Sequence, residues 1–192
     1  MRGMRSAPPA AGLRFSEQMH TAYPLNEFYA LTNRELPHIE QISGDKVPEP
    51  YKSLLVHNND MTPTLEKFHG SRIHLKILKS ELRNGFYFRE VILHLDGSNK
   101  PVEFGANKIL LARFPEAARK LILEERVPLG TILKTRAIGH RTEAKTFLRV
   151  ESDSIINAAF GLKSPTILYG RKAVIADMKG EPLSEIVEIL PP

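Results

Sequence analysis

The chain has 192 residues, 42% of them hydrophobic and 26% charged, which is enough to bury a core and in the range of one ordinary globular domain. It contains no cysteine, so a disulfide framework, a thiolate metal site and a cysteine nucleophile are excluded. The formal net charge of +5 is spread thinly: beyond Arg2, Arg5 and Arg14 the basic residues occur singly or in pairs such as Arg119-Lys120, with Asp and Glu among them, so a mixed solvated surface is expected and no nucleic-acid partner.

In chain order, residues 1–14 carry basic residues and the run Ala7-Pro8-Pro9-Ala10-Ala11 without the apolar stretch of a secretory leader, and they read as a flexible tail. No segment approaches the roughly 20 apolar residues of a membrane span. A cytoplasmic location without membrane attachment is the expectation. Residues 15–41 read as a helical and irregular lead-in interrupted by Pro24 and Pro37, so that residues 1–45 form an N-terminal extension ahead of a domain at 46–192. Pro48-Glu49-Pro50 turns the chain into a helical stretch at 51–57. A second helix starts near Thr62, which suits an N-cap, with Pro63 at the first helical position and Gly70 ending it.

From Ser71 the period changes to two. Ile73, Leu75 and Ile77 alternate with Arg72, His74 and Lys76, and Asn84-Gly85 supplies the two residues that tolerate positive φ in a tight hairpin. A strand follows at Phe86–Leu95, then the turn Asp96-Gly97-Ser98-Asn99, then a strand at 102–111. Pro115 opens a helix to about Arg126, broken at Pro128-Leu129-Gly130. Shorter strands are predicted at 146–151, 166–177 and 183–190, the last two joined by Asp177-Met178-Lys179-Gly180. The result is an α+β domain with a single antiparallel sheet of about six strands and helices packed on it.

No glycine-rich phosphate loop, GxSxG elbow or HExxH pair is present, and the seven histidines have no metal spacing, so no metal is expected. Three features remain. On the strand Phe86–Leu95 one face carries Tyr87, Arg89, Val91, Leu93 and Leu95, which sets one guanidinium in an apolar stripe. A buried arginine needs an anion: an internal glutamate, or the carboxylate of a ligand clamped in bidentate fashion. The helix start near Thr62, and more weakly that at Pro128-Leu129-Gly130-Thr131, offers backbone N–H groups and the positive end of a dipole, otherwise serving simply as caps. Glu185 and Glu188, three apart on the last strand, must face opposite sides of the sheet, and periodicity does not choose which of them is turned into a site.

The order Leu54-Leu55 with Asn59-Asp60-Met61-Thr62, then Arg89-Glu90-Val91-Ile92-Leu93, Pro128-Leu129-Gly130, Tyr169-Gly170-Arg171, Gly180-Glu181-Pro182-Leu183 and Glu188-Ile189-Leu190-Pro191 resembles the chorismate lyase family over residues 51–192. The resemblance implies a six-stranded antiparallel sheet with helical flaps over an internal site, and a lyase that eliminates pyruvate from chorismate to leave a hydroxybenzoate, with 4-hydroxybenzoate the expected isomer. It implies substrate binding by the backbone N–H groups of Met61 and Leu129 together with Arg89 and Glu188. The last two would be catalytic, Arg89 stabilising the departing oxygen and Glu188 moving a proton or holding the ring oxygen. It needs no cofactor and has chorismate as its small-molecule partner. The same fold resembles the effector-binding domains of bacterial transcription regulators, which implies the alternative of a protein that binds an aromatic carboxylate without reacting it. Those regulators carry a winged helix ahead of the domain, and the proline-rich residues before 51 show no helix-turn-helix pattern, so the enzyme is the leading expectation.

Overall fold

A computed structural model of the protein describes residues 20–192. The tail predicted over residues 1–14 and the start of the lead-in lie outside the described residues. The chain runs α1 (Leu25–Leu31), β1 (Ile39–Ile42), α2 (Tyr51–Leu55), α3 (Met61–His69), β2 (Ile73–Arg83), β3 (Phe86–Leu95), β4 (Pro101–Leu110), α4 (Glu116–Leu123), α5 (Leu129–Thr135), β5 (His140–Glu151), α6 (Ser154–Phe160), β6 (Ile167–Asp177) and β7 (Pro182–Leu190).

The strands form one antiparallel sheet in the order β1-β5-β6-β7-β4-β3-β2. It consists of two meanders, β2-β3-β4 and β5-β6-β7, joined side by side where β4 pairs with β7. The β2-β3 hairpin turns at Asn84 and Gly85, whose φ values of 52° and 79° are those required by the tight turn predicted there. Where β6 meets β7, the chains approach so closely that a Cβ on Gly170 would lie 2.3 Å from the Glu188 carbonyl oxygen. Only glycine fits at that position.

The sheet has seven strands where about six were expected. The additional one, Ile39–Ile42, pairs with β5 inside the segment read as irregular, and four residues are too few for a periodicity to declare itself. β5 begins at His140, six residues before the predicted start at Thr146, because its first half is polar and faces the loops around α3. The helix predicted from Pro115 stops at Leu123, and Glu125 beyond it has a φ of 58°. α3 starts at Met61, one residue before the expected cap, with Asp60 as the extended residue ahead of it.

Both faces of the sheet are covered. On one, α1 and α6 enclose Ala22, Leu25, Phe28, Tyr29 and Ile156 against Phe88, Ile92, Phe104, Leu148, Val187 and Ile189. On the other, α2 and α3 pack on Leu75, Val91, Leu93 and Leu190, while α4 and α5 pack on Tyr87, Ile109, Ile175 and Ile186. This double cover explains why β3 is buried along nearly its whole length, and why neighbouring Arg89 and Glu90, pointing to opposite faces, are both buried. Between the two helix pairs of the second face lies a gap, floored by the middle of the sheet.

Candidate functional site

That gap is a cavity of about 40 Å³. Its floor comes from alternate residues of the central strands, all on one face: Arg89 and Val91 on β3, Glu103 and Asn107 on β4, Ile186 and Glu188 on β7, and Arg171 and Ile175 on β6. Its roof is made by Asp60, Met61 and Thr62 at the start of α3 and by Pro128, Leu129 and Gly130 at the start of α5. The fold therefore brings Met61, Arg89, Leu129 and Glu188 round one pocket. The space holds about three water molecules, so a ring-sized ligand enters only if α3 and α5 part. These helices touch where a Cβ on Gly130 would sit 3.1 Å from Thr62 Oγ1.

Two arginines lie in the floor, and their surroundings differ. Arg171 is completely buried, and each of its three nitrogens has a partner. Its Nε donates to Glu188 Oε2 at 2.6 Å, its Nη1 to the His57 carbonyl at 2.9 Å, and its Nη2 to the Asn59 carbonyl at 3.0 Å. The ion pair joins directly opposed residues of β6 and β7, and the remaining donors fasten the loop between α2 and α3 to the sheet. Arg89 is 1% exposed and donates from Nε to Asn107 Oδ1 at 3.1 Å, while its Nη1 is buried without a partner. Among the described residues no carboxylate lies within ion-pair distance of it. Burial lowers its pKa from the ordinary arginine value to about 10, opposed by the more distant Tyr87, Glu125 and Glu103, so it is a buried cation without an ion-pair partner among the described residues. Of the two fates open to Arg89 in the sequence, the internal salt bridge is absent.

Glu188 occupies the pocket while Glu185 points to the opposite face, where it accepts from Lys108 Nζ at 3.0 Å. The Arg171 bond restrains Glu188 in a way the sequence did not indicate. One of its two oxygens is thereby engaged by the protein itself. Glu103, on the neighbouring strand, is also buried in the floor, with Oε2 unpartnered. Burial and the adjacent Glu188 hold its carboxyl well above the usual carboxylate range, against the pull of Arg171 and Arg89.

The roof is fixed by a polar latch. No side chain caps the first-turn N–H groups of α3 or α5, and such groups have no partner within the helix. Asp60, which could have capped α3, instead accepts from Thr142 Oγ1 through Oδ1 and lies 2.8 Å from His140 Nε2 through Oδ2. The other ring nitrogen of His140 is 2.7 Å from the Ile138 carbonyl. Acceptors on both sides suit a ring that carries both protons. Burial alone would depress His140, but the bonds to Ile138 and Asp60 outweigh it and raise the pKa above the ordinary histidine value.

Sequence reasoning passed over Glu103, Asn107, Arg171 and the latch. Arg171 shares its row with Tyr169, Ala173 and Ile175, the same signal of one cation in an apolar stripe that marked Arg89. Glu103, Gly105 and Asn107 form a polar row that reads as a solvent face, and only the helices above it make it a pocket floor. Among the described residues no group of three or more metal-ligating side chains comes together. Among the described residues no helix is long and apolar enough to cross a membrane.

No protein-family model and no curated protein matches the chain. Several solved structures are similar in fold. PhnF from Mycobacterium smegmatis is 16% identical with a TM-score of 0.55, over 98% of this chain and 89% of that one. The effector domain of PhnF gives 13% identity and a TM-score of 0.52 over 68% and 87% of the two chains. YydK from Bacillus subtilis strain 168, described as a possible transcriptional regulator, gives 8% and 0.50 over 97% and 85%. At these identities the likeness establishes the α+β fold, a single antiparallel sheet with helices packed on it. Two of these neighbours are described as an effector domain and as a possible transcriptional regulator, and none as a chorismate lyase.

Proposed function

We propose that this protein holds a small carboxylate ligand, of aromatic type, in the pocket beneath α3 and α5, and binds it without reacting it. The observation that carries this reading is the unpartnered Nη1 of buried Arg89. A guanidinium taken out of water and left without an anion is costly, and a ligand carboxylate removes that cost on arrival. The uncapped N-terminus of α3, nine residues long, adds donors and a favourable dipole on the other side of the cavity. Apolar walls from Val91, Leu93, Ile175 and Ile186 suit a ring. The effector-domain description of a neighbour of similar fold agrees with ligand holding. Calorimetric titration with 4-hydroxybenzoate and with its neutral amide tests the reading. The acid should bind and the amide should bind at least about 30-fold more weakly, the equivalent of one charge-assisted contact of about 2 kcal/mol. Equal affinities, or no binding of either, would overturn it.

The second reading is the chorismate lyase, favoured by the lining of one pocket by Met61, Arg89, Leu129 and Glu188. Against it stands the engagement of Glu188 by Arg171. Incubation with chorismate and measurement of pyruvate separates the two: catalytic release of pyruvate replaces the binding reading by the enzymatic one.

A further inference from the structure

Glu103 is the second unsatisfied group of the pocket, and its surroundings define which ligands the pocket takes. It lies on β4 opposite Leu93, two residues from Gly105, which itself stands opposite Glu188. Charged groups face it from three strands: Arg89 of β3, Arg171 of β6 and Glu188 of β7. From the roof come Asp60 and, behind it, His140. Arg171 is paired with Glu188, and His140 with Asp60. If Glu103 were ionised, the site would be neutral with Arg89 and would have no net attraction for an anion. With a proton on Glu103 the site carries one positive charge, that of Arg89, and a buried O–H donor farther along the same floor. A carboxylic acid kept neutral by an apolar site is an established means of presenting such a donor.

We propose that Glu103, as a neutral carboxylic acid, is a specificity-determining residue that donates a hydrogen bond to an uncharged hydroxyl, ether or carbonyl oxygen of a ligand whose single carboxylate rests on Arg89. The class taken is therefore a monoanionic carboxylate bearing a second acceptor oxygen, and a dicarboxylate is refused because its second charge would face Glu103 and Glu188 with no cation left to meet it. The proposal rests on the reading of the pocket as a carboxylate site.

The test has two independent arms. The infrared spectrum of the ligand-free protein at neutral pH should contain a protonated-carboxyl band that disappears in Glu103→Gln. Its absence from the wild type would overturn the proposal whatever the ligand. In titrations with 4-hydroxybenzoate, benzoate and terephthalate, the wild type should favour the first over benzoate by about tenfold, the value of one retained hydrogen bond, and should bind terephthalate more weakly than either. Affinity for 4-hydroxybenzoate should fall as Glu103 loses its proton with rising pH. Glu103→Gln, which keeps a donor, should bind within a few-fold of wild type with that pH dependence removed. Glu103→Leu should bind benzoate but lose the preference for the hydroxylated acid. Equal binding of all three acids by the wild type, or a preference kept in Glu103→Leu, would overturn the role of Glu103 while leaving the carboxylate site standing. Failure of the wild type to bind any of them would remove both.

Discussion

The two buried arginines of the pocket should respond to the same substitution with opposite signs. Arg89→Met keeps length and apolar packing but removes the charge. Burial takes Arg89 from the ordinary arginine value down to about 10, and at about 1.4 kcal/mol per pK unit this is roughly 3 kcal/mol held against the charged form. The substitution also loses one hydrogen bond, that to Asn107, which contributes about 1 kcal/mol. A net gain in stability of about 2 kcal/mol follows, accompanied by loss of carboxylate binding, the trade expected of a functional residue. Arg171→Met leaves the Glu188 carboxylate buried and unpaired and the carbonyls of His57 and Asn59 unmet, a loss of about 3 to 5 kcal/mol. Urea unfolding followed by circular dichroism measures both. In thermal terms the Arg89 variant should melt about 4 to 8 °C above wild type, and the Arg171 variant well below it. If Arg89→Met proves less stable than wild type by more than about 1 kcal/mol, Arg89 is a compensated structural ion and the pocket holds no uncompensated charge for a ligand to meet.

The two glutamates of β7 should also separate: Glu188→Gln, which weakens the bond to buried Arg171, should cost about 2 kcal/mol, whereas Glu185→Gln breaks a partly exposed pair with Lys108 and should cost under about 1 kcal/mol. Unfolding curves giving the reverse order would mean that the register of β7 is shifted by one. The His140 latch should depend on pH with a definite sign. Because the folded-state pKa is raised, its contribution is fully present below the unfolded value of about 6.5 and is lost as pH rises through the folded value. The stability difference between wild type and His140→Asn should shrink over that range, and a difference that stays constant or grows would show that the ring is neutral. Gly170→Ala, which forces a Cβ against the Glu188 carbonyl oxygen, should lower stability by about 3 kcal/mol in the same assay, and a neutral result would place β6 and β7 further apart than they are here.

How much of this was legible beforehand depended on whether the cause was local. Asn84-Gly85, Gly70 and the double alternation along Phe86–Leu95 each act within a few residues, so the hairpin, the end of α3 and the unusual position of Arg89 could be read directly from the chain. Side-chain period two likewise forced Glu185 and Glu188 to opposite faces before any fold was known. Local signals failed where pairing partners are distant. β1, of four residues, exists because β5 is there to receive it, more than a hundred residues later. The pairing of β4 with β7 joins the two meanders and brings Glu103 beside Glu188, and the pairing of β6 with β7 sets Arg171 against the same glutamate. In the sequence, Glu103 and Asn107 have the pattern of a wet face and Glu188 that of a free carboxylate. Only the helices laid over β4 make the first two buried, and only the strand beside β7 gives the third its cation. A charge's solvation and partners are decided by chain segments far away in sequence, so the sequence by itself determined which residues share a face, and the tertiary structure decided which face is dry and which of its charges is left to meet a ligand.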